Sequence, residues 1–435
     1  METMFFPHSL AIIGVSDSPS NVARGILENL DRFTFKGKIY LVGSKKGSLP
    51  GRDVFADVSE IPAVPDVAVI LIPAPGLPKA LESCGKKGIR RIVIESGGFS
   101  EFGADREGLE KEILQIAEQW GMKVIGPNCV GIVNIENGLT MPFYSLYPHE
   151  AKKGPISIIT QSGGLLHDIM MLCHMANLGV SKLVSVGNKL VVDENDLLEY
   201  LISDPATGII GLYLEDISDG RRLMSLAAGT DKPVVLLKSN RSLESREIAR
   251  FHTSALAGDD RIIDEAMKQA GVHRVENLKE MTDSFKVFLL KPLKGLRLAV
   301  VTRSGGHAVL SADSIYRHGF KLASFSGEFF SMLSEKTRAG VIRRTNPVDL
   351  GDVFDFNVHL EIAERALRED GVDGLVIVHS YALGLDSEPT QSFIASIAEL
   401  SKAHDKPVLF CMSGHKEDWF AMRETADFPV FTIIV

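Results

Sequence analysis

Short runs of β-branched and aliphatic residues alternate with amphipathic stretches along this chain, and that alternation limits its fold more than any other feature. Leu10–Val15, Lys38–Val42, Val67–Ile72, Arg91–Glu95 and Met122–Gly126 have the length and composition of strands. Between them, Leu77–Lys87 and Asp105–Trp120 space their apolar residues as one face of a helix. Strand and helix in alternation demand βαβ crossovers and a mostly parallel sheet. The first third therefore reads as a doubly wound α/β domain.

The rhythm restarts after the polar, proline-containing stretch Tyr144–Pro155, with strand-like runs Ile156–Thr160, Ser181–Ser185, Ile209–Leu214 and Pro233–Lys238. A third unit follows Lys291–Gly295. It opens on Leu298-Ala-Val-Val-Thr-Arg-Ser-Gly-Gly306, an echo of Ile156-Ser-Ile-Ile-Thr-Gln-Ser-Gly-Gly164. Gly371-Val-Asp-Gly-Leu375 then echoes Gly208-Ile-Ile-Gly-Leu212, and Lys406-Pro-Val-Leu-Phe410 echoes Lys232-Pro-Val-Val-Leu236. The separation between partners grows along the chain, which excludes a solenoid of fixed period and leaves two diverged copies of one fold. At about 150 residues per domain, three doubly wound α/β domains account for the length of 435 residues.

Composition narrows the function classes. Hydrophobic residues make up 45% and charged residues 24%, enough for several buried cores. The net charge of −9 argues against a nucleic-acid footprint or a polybasic membrane surface. No basic n-region or long apolar run marks a leader or a membrane span, so the expected place is the cytosol. Cys84, Cys129, Cys173 and Cys411 form no C-x-x-C pair, so a reducing compartment and no metal site are expected.

Loops at the carboxyl ends of the strands hold the candidate chemistry. Gly14-Val-Ser16-Asp17-Ser-Pro-Ser-Asn21 follows the first strand, where small residues let a ligand approach the backbone and helix-start amides can hold phosphate. An ordinary strand-to-helix turn uses the same residues. The next glycine is Gly25, so the G-x-G-x-x-G fingerprint of nicotinamide binding is missing. Lys45, Pro73 and Ser96 follow the next strands and would converge on one crevice in an open sheet, although Lys45 with Lys46 also reads as a solvated pair. Ser162-Gly163-Gly164 opens a helix and offers amides to a phosphoryl group, or makes a plain βα turn. The connection Ser239–Gly258, which contains His252, is long for a compact α/β domain, and such loops often carry function. Twelve histidines occur, and one alone is as well read as a surface or core residue.

Seven segments in order resemble one family: Gly14-Val-Ser-Asp17, Gly126-Pro-Asn-Cys-Val-Gly131, Ser162-Gly-Gly164, Ser185-Val-Gly-Asn-Lys-Leu-Val-Val-Asp-Glu-Asn-Asp196, Leu212-Tyr-Leu-Glu-Asp216, His252-Thr-Ser-Ala-Leu-Ala-Gly258 and Asn346-Pro-Val-Asp-Leu350. The chain resembles the CoA-binding and ligase portion of the nucleoside-diphosphate-forming acyl-CoA synthetases, relatives of the succinyl-CoA synthetase alpha subunit. The resemblance implies a Rossmann-like CoA-binding domain at 1–148, a flavodoxin-like phosphohistidine ligase domain at 149–292, and a second ligase-like domain at 293–435. It implies an ADP-forming acid–thiol ligase that interconverts acyl-CoA, ADP and phosphate with carboxylic acid, CoA and ATP. His252 would carry the phosphoryl group, Glu215 would fix its tautomer, and Ser162, Gly163 and Gly164 would hold the phosphate. Gly14, Ser16, Asp17, Lys45, Pro73, Ser96 and Asn128 would bind CoA.

Two departures stand out. Leu243, Glu244, Glu247, Ile248 and Phe251 make the histidine loop bulkier than the family's, and Ser254 replaces a glycine. The chain also stops at Phe431-Thr-Ile-Ile-Val435, where a final helix is expected. The family's Mg-nucleotide site lies on an ATP-grasp portion, for which no sequence is left over. A beta subunit or a C-terminal half is therefore the expected partner, in an oligomer. The rival reading is a CoA-binding regulatory or scaffolding protein without phosphoryl transfer.

Overall fold

The computed structural model describes the chain except residues 50, 100–106, 243, 246–258, 338–343, 352, 381–386, 415–421, 423, 425–427 and 433–435. Three twisted sheets organise it. The first two lie in one compact unit reaching to Thr282, and the third lies in a second unit from Asp283 onward.

The first sheet contains β1 (Ser9–Ile13), β2 (Lys38–Val42), β3 (Gly47–Leu49), β4 (Arg52–Phe55), β5 (Val67–Ile70), β6 (Arg91–Ile94) and β7 (Lys123–Ile125), in the order β3-β4-β2-β1-β5-β6-β7. All four residues of β5 are buried, as they must be when helices cover both faces of a parallel strand. The helix expected at Leu77–Lys87 has those bounds. It ends at Gly88, whose φ of 98° is left-handed and whose amide bonds back to the last turn. The chain leaves β1 for β2 on one side and returns to β5 on the other, so a switch point opens between the carboxyl ends of β1 and β5. The hairpin β3–β4 is not anticipated from the sequence, because its glycine- and charge-rich residues bury little.

The second sheet takes β8 (Ile132–Asn134), β9 (Leu139–Thr140), β10 (Lys153–Thr160), β11 (Val180–Ser185), β12 (Ile209–Leu214), β13 (Val234–Lys238) and β14 (His273–Val275), in the order β14-β13-β12-β10-β11-β8-β9. Here the switch point falls between β10 and β12. Residues 132–140 therefore hydrogen-bond to this sheet, with β8 antiparallel to β11. In a sequence scan these two- and three-residue strands are too short to show a period.

The third sheet repeats this wiring. β15 (Arg297–Thr302) is flanked on one side by β16 (Lys321–Leu322) and on the other by β18 (Gly374–Ser380), β19 (Val408–Ser413) and β20 (Val430–Thr432), while β17 (Val348–Asp349) also pairs with β15. The repeated Lys-Pro-Val has a physical cause. Lys232 Nζ donates to the carbonyls of Leu201 and Asp204 at the end of the helix Glu194–Ser203. Lys406 Nζ donates to those of Leu367 and Glu369 at the end of the helix Phe356–Arg368. Each lysine adds a charged donor to carbonyls at a helix C-terminus and meets the negative end of its dipole, just before its own strand begins. The expectation of two copies of one fold is met in topology and in this cap.

Candidate functional site

At the first switch point, Gly14 has φ 115°, and a Cβ there would lie 2.1 Å from the Leu71 carbonyl oxygen. Only glycine lets the loop pass so close to the end of β5. Asn21 Nδ2 donates to the Gly14 carbonyl at 2.9 Å and closes the loop. Beneath it lies a cavity of about 610 Å³, lined by Gly14, Ser16, Asn21, Val42, Pro73 and Lys79 among others. A second of about 240 Å³ adjoins it, sharing Ser16 and adding Asp17, Lys45 and Lys46. Their combined shape suits an extended ligand with an anionic end.

Of the CoA-binding candidates, Gly14, Ser16 and Pro73 line the larger cavity, and Asp17 and Lys45 the smaller. Ser96 is buried, and its hydroxyl accepts the Ile72 amide at 3.1 Å, so it braces the rim. Asn128 is exposed on a different loop, where its amide donates to the Ser96 carbonyl at 2.9 Å. It lines neither of these cavities. Asn21, at the end of the loop read from sequence, also lines the larger cavity, as do Lys79 and Asp57, which sequence reasoning missed. Asp57 is held below the ordinary carboxylate range by hydrogen bonds from Ser59. The strand-end rule points at loops, and so it passes over Lys79, which lies inside a helix.

At the second switch point, the chain leaves β10 through Gln161-Ser162 and enters the helix Gly163–Met175. A Cβ on Gly163 would sit 2.7 Å from Val130 Cγ1, so the phosphate-loop candidate packs directly on the Gly126–Gly131 segment. Tyr144 donates its hydroxyl to the Gly163 carbonyl at 3.3 Å, and the Thr160 hydroxyl donates to the Ser162 carbonyl at 2.8 Å. The loop is thus braced from behind, while Gly164 has open space around its Cβ position. Glu215 stands one residue beyond β12, on the neighbouring strand end. Gln161 joins the two loops: its Oε1 accepts the amides of Glu215 at 2.8 Å and Asp216 at 3.2 Å. That link ties the backbone of Glu215 to the loop that carries Ser162, Gly163 and Gly164, through a long amide side chain that no local motif singles out. His252 lies outside the described residues.

Among the described residues, no group of three or more His, Cys, Asp or Glu is placed to hold a metal ion. Nor is any described helix long and apolar enough to cross a membrane.

Residues 8–135 match the family described as CoA binding domain, and residues 153–288 match the succinyl-CoA ligase like flavodoxin domain. The chain is 34% identical over 423 residues to the alpha subunit of acetate–CoA ligase (ADP-forming) II of Pyrococcus furiosus, across 95% of this chain and 90% of that one. It is 32% identical over 448 residues to acetate–CoA ligase (ADP-forming) II of Archaeoglobus fulgidus, across 100% of this chain. Here it spans 65% of the relative's length, and 51% of a second Archaeoglobus fulgidus relative, acetate–CoA ligase (ADP-forming) I. The apo structure of dinucleotide-forming acetyl-coenzyme A synthetase 1 from Ca. Korarchaeum cryptofilum superposes with a TM-score of 0.90 at 29% identity, covering 99% of this chain and 93% of that one. Its complex with phosphate and ADP gives 0.87 at 28% identity, covering 98% and 95%. None of these relatives is named as a regulatory or scaffolding protein, and that reading gains no support. Two domain families matched over residues 8–135 and 153–288, and a relative matched over nine-tenths of its own length, carry one conclusion: the chain belongs to the family of ADP-forming acyl-CoA synthetases.

Proposed function

We propose that this chain is the CoA-binding and ligase portion of an ADP-forming acyl-CoA synthetase, working with an ATP-grasp portion that holds Mg-ADP or Mg-ATP. The observation that supports the reading is the Gln161 bridge, in which Oε1 accepts the Glu215 amide and so ties that residue to the loop leading into the helix Gly163–Met175. CoA would lie in the paired cavities of the first sheet, its phosphates toward Lys45 and its thiol end toward Ser96 and Asn128. A phosphate oxygen attacks the thioester carbonyl, the carbon–sulfur bond breaks, and CoA departs as thiolate to take up a proton. An imidazole nitrogen of His252 then attacks phosphorus and the carboxylate leaves, which yields phosphohistidine. Glu215 accepts the proton-bearing nitrogen's hydrogen bond and so keeps the attacking nitrogen free. The phosphoryl group passes to ADP on the ATP-grasp portion.

The domain scheme of 1–148, 149–292 and 293–435 belongs to this proposal, as do the small carboxylic acid substrate, the oligomer and the cytosolic setting. The test is labelling of the assembled enzyme with acetyl-CoA and radiolabelled phosphate. Wild type should acquire an alkali-stable, acid-labile label, and His252→Ala should acquire none. Full turnover by His252→Asn would overturn the mechanism.

A further inference from the structure

The end of β12 is held in an unusual way. Where a strand stops, its last peptide groups ordinarily turn to water. Here the backbone of Glu215 and Asp216 is taken up by four side chains from other segments. Gln161 Oε1 accepts both amides. Lys238 Nζ, at the end of β13, donates to the Glu215 carbonyl at 2.7 Å, and Asn240 Nδ2 donates to the same oxygen at 3.1 Å. Lys189 Nζ donates to the Asp216 carbonyl at 3.2 Å while it pairs with Asp216 Oδ1 at 2.5 Å and Glu194 Oε2 at 3.0 Å.

Lys238 is the costly member of this set. It is 4% exposed, and taking an ammonium group out of water is expensive unless its protons are used. It spends two of them on carbonyls, those of Glu215 and Ser239, rather than on a carboxylate. A lysine that served only to neutralise charge would reach a carboxylate, and one that served only packing would be better replaced by methionine. Asn240 adopts φ 58°, a left-handed conformation that turns the chain back so that its amide can reach the same oxygen. Both donors fix the peptide plane that follows Glu215, and with it the position from which its side chain departs.

We propose that Lys238, with Asn240, is a positioning residue that holds Glu215 by its main chain, so that the carboxylate keeps the phosphoryl-accepting imidazole in one tautomer. This rests on the reading above that Glu215 partners His252. Groups from every neighbouring segment act on the lysine. Glu215 and Asp216 face it from the turn after β12, Lys189 from the loop after β11, Asp260 from the start of the helix Asp260–Gln269, and Arg274 from β14. Burial outweighs the attraction of Asp216 and Asp260 and brings its pKa down to about 8. The clamp accordingly loosens in mildly alkaline solution, as the ammonium loses its proton and its charge-assisted bonds weaken.

The experiment is single-turnover labelling of the assembled enzyme with acetyl-CoA and radiolabelled phosphate, from about pH 6 to about pH 9.5. Lys238→Met should form phosphohistidine roughly ten- to hundredfold more slowly, the usual range for losing a group that orients a reacting side chain, with CoA Kd changed by less than about twofold. The wild-type rate should fall above about pH 8, and that limb should be missing from Lys238→Met, a difference that a merely structural lysine would not produce. Asn240→Gly tolerates the left-handed backbone and should slow labelling while keeping the limb. Labelling of Lys238→Met at the wild-type rate, or with the alkaline limb intact, would overturn the proposal. If Lys238→Met fails to bind CoA, Asn240→Gly decides, and an unchanged rate there would overturn it too. Wild type that binds CoA yet takes no label would sink the phosphohistidine reading itself, and the clamp with it.

Discussion

Glu95 is a buried carboxyl group. It follows β6, is 4% exposed, and neither oxygen has a hydrogen-bond partner among the described residues. A Cβ on Gly131 would lie 3.0 Å from its Oε1, so a glycine opposite leaves room for it. Burial holds its pKa well above the ordinary 4.5. The folded chain then keeps a proton that the unfolded chain has lost, so this group's stability contribution is complete below pH 4.5 and declines as pH rises toward the folded-state value. Within that window one proton is worth about 1.4 kcal/mol per pH unit. Glu95→Gln, which cannot ionise, should match wild type near the lower limit and exceed it in stability near about pH 7.5. Urea midpoints at the two pH values check this, and an unchanged gap between the proteins would refute it. The sequence shows Glu95 only as the last residue of a strand-like run, since nothing local records that the chain will bury it.

At the scale of elements, the twin lysine caps make a sharper test of duplication than sequence echoes do. Lys232→Met and Lys406→Met should each cost about 1–2 kcal/mol, from lost bonds to helix-end carbonyls and the lost charge at the dipole's negative end. The two lie in separate compact units, so the double variant should show their sum within about 0.5 kcal/mol. Denaturant unfolding measures both, and a Lys406→Met variant with no effect would mean that the second copy keeps the motif without the cap. Long elements were legible because their periods are long enough to register: the helix Leu77–Lys87 and the strand Ile209–Leu214 have the bounds read from sequence. The short pairings β3–β4 and β8–β9 were not, because two to four residues carry no period and pair through contacts distant in sequence.

At the scale of the whole molecule, the first two sheets share one compact unit and the third belongs to another. A fragment of residues 1–292 should therefore unfold cooperatively and bind CoA with the full chain's affinity, to within about threefold, because both cavities lie in its first sheet. Isothermal titration against the full chain checks this, and loss of binding in a folded fragment would show that the third sheet contributes to the crevice. Sequence by itself determined the α/β class, the three-sheet plan, the kinship of the second and third sheets, and the glycine loops at the strand ends. These follow from hydrophobic period, backbone stereochemistry and ordered motifs, all written locally. Tertiary structure alone decided that Gln161, Lys238 and Asn240 converge on the Glu215 peptide, and that Lys79 shares a cavity with Gly14. Hydrogen bonds and burial between residues tens of positions apart depend on which strand lies beside which, and that order is fixed only when the sheets assemble.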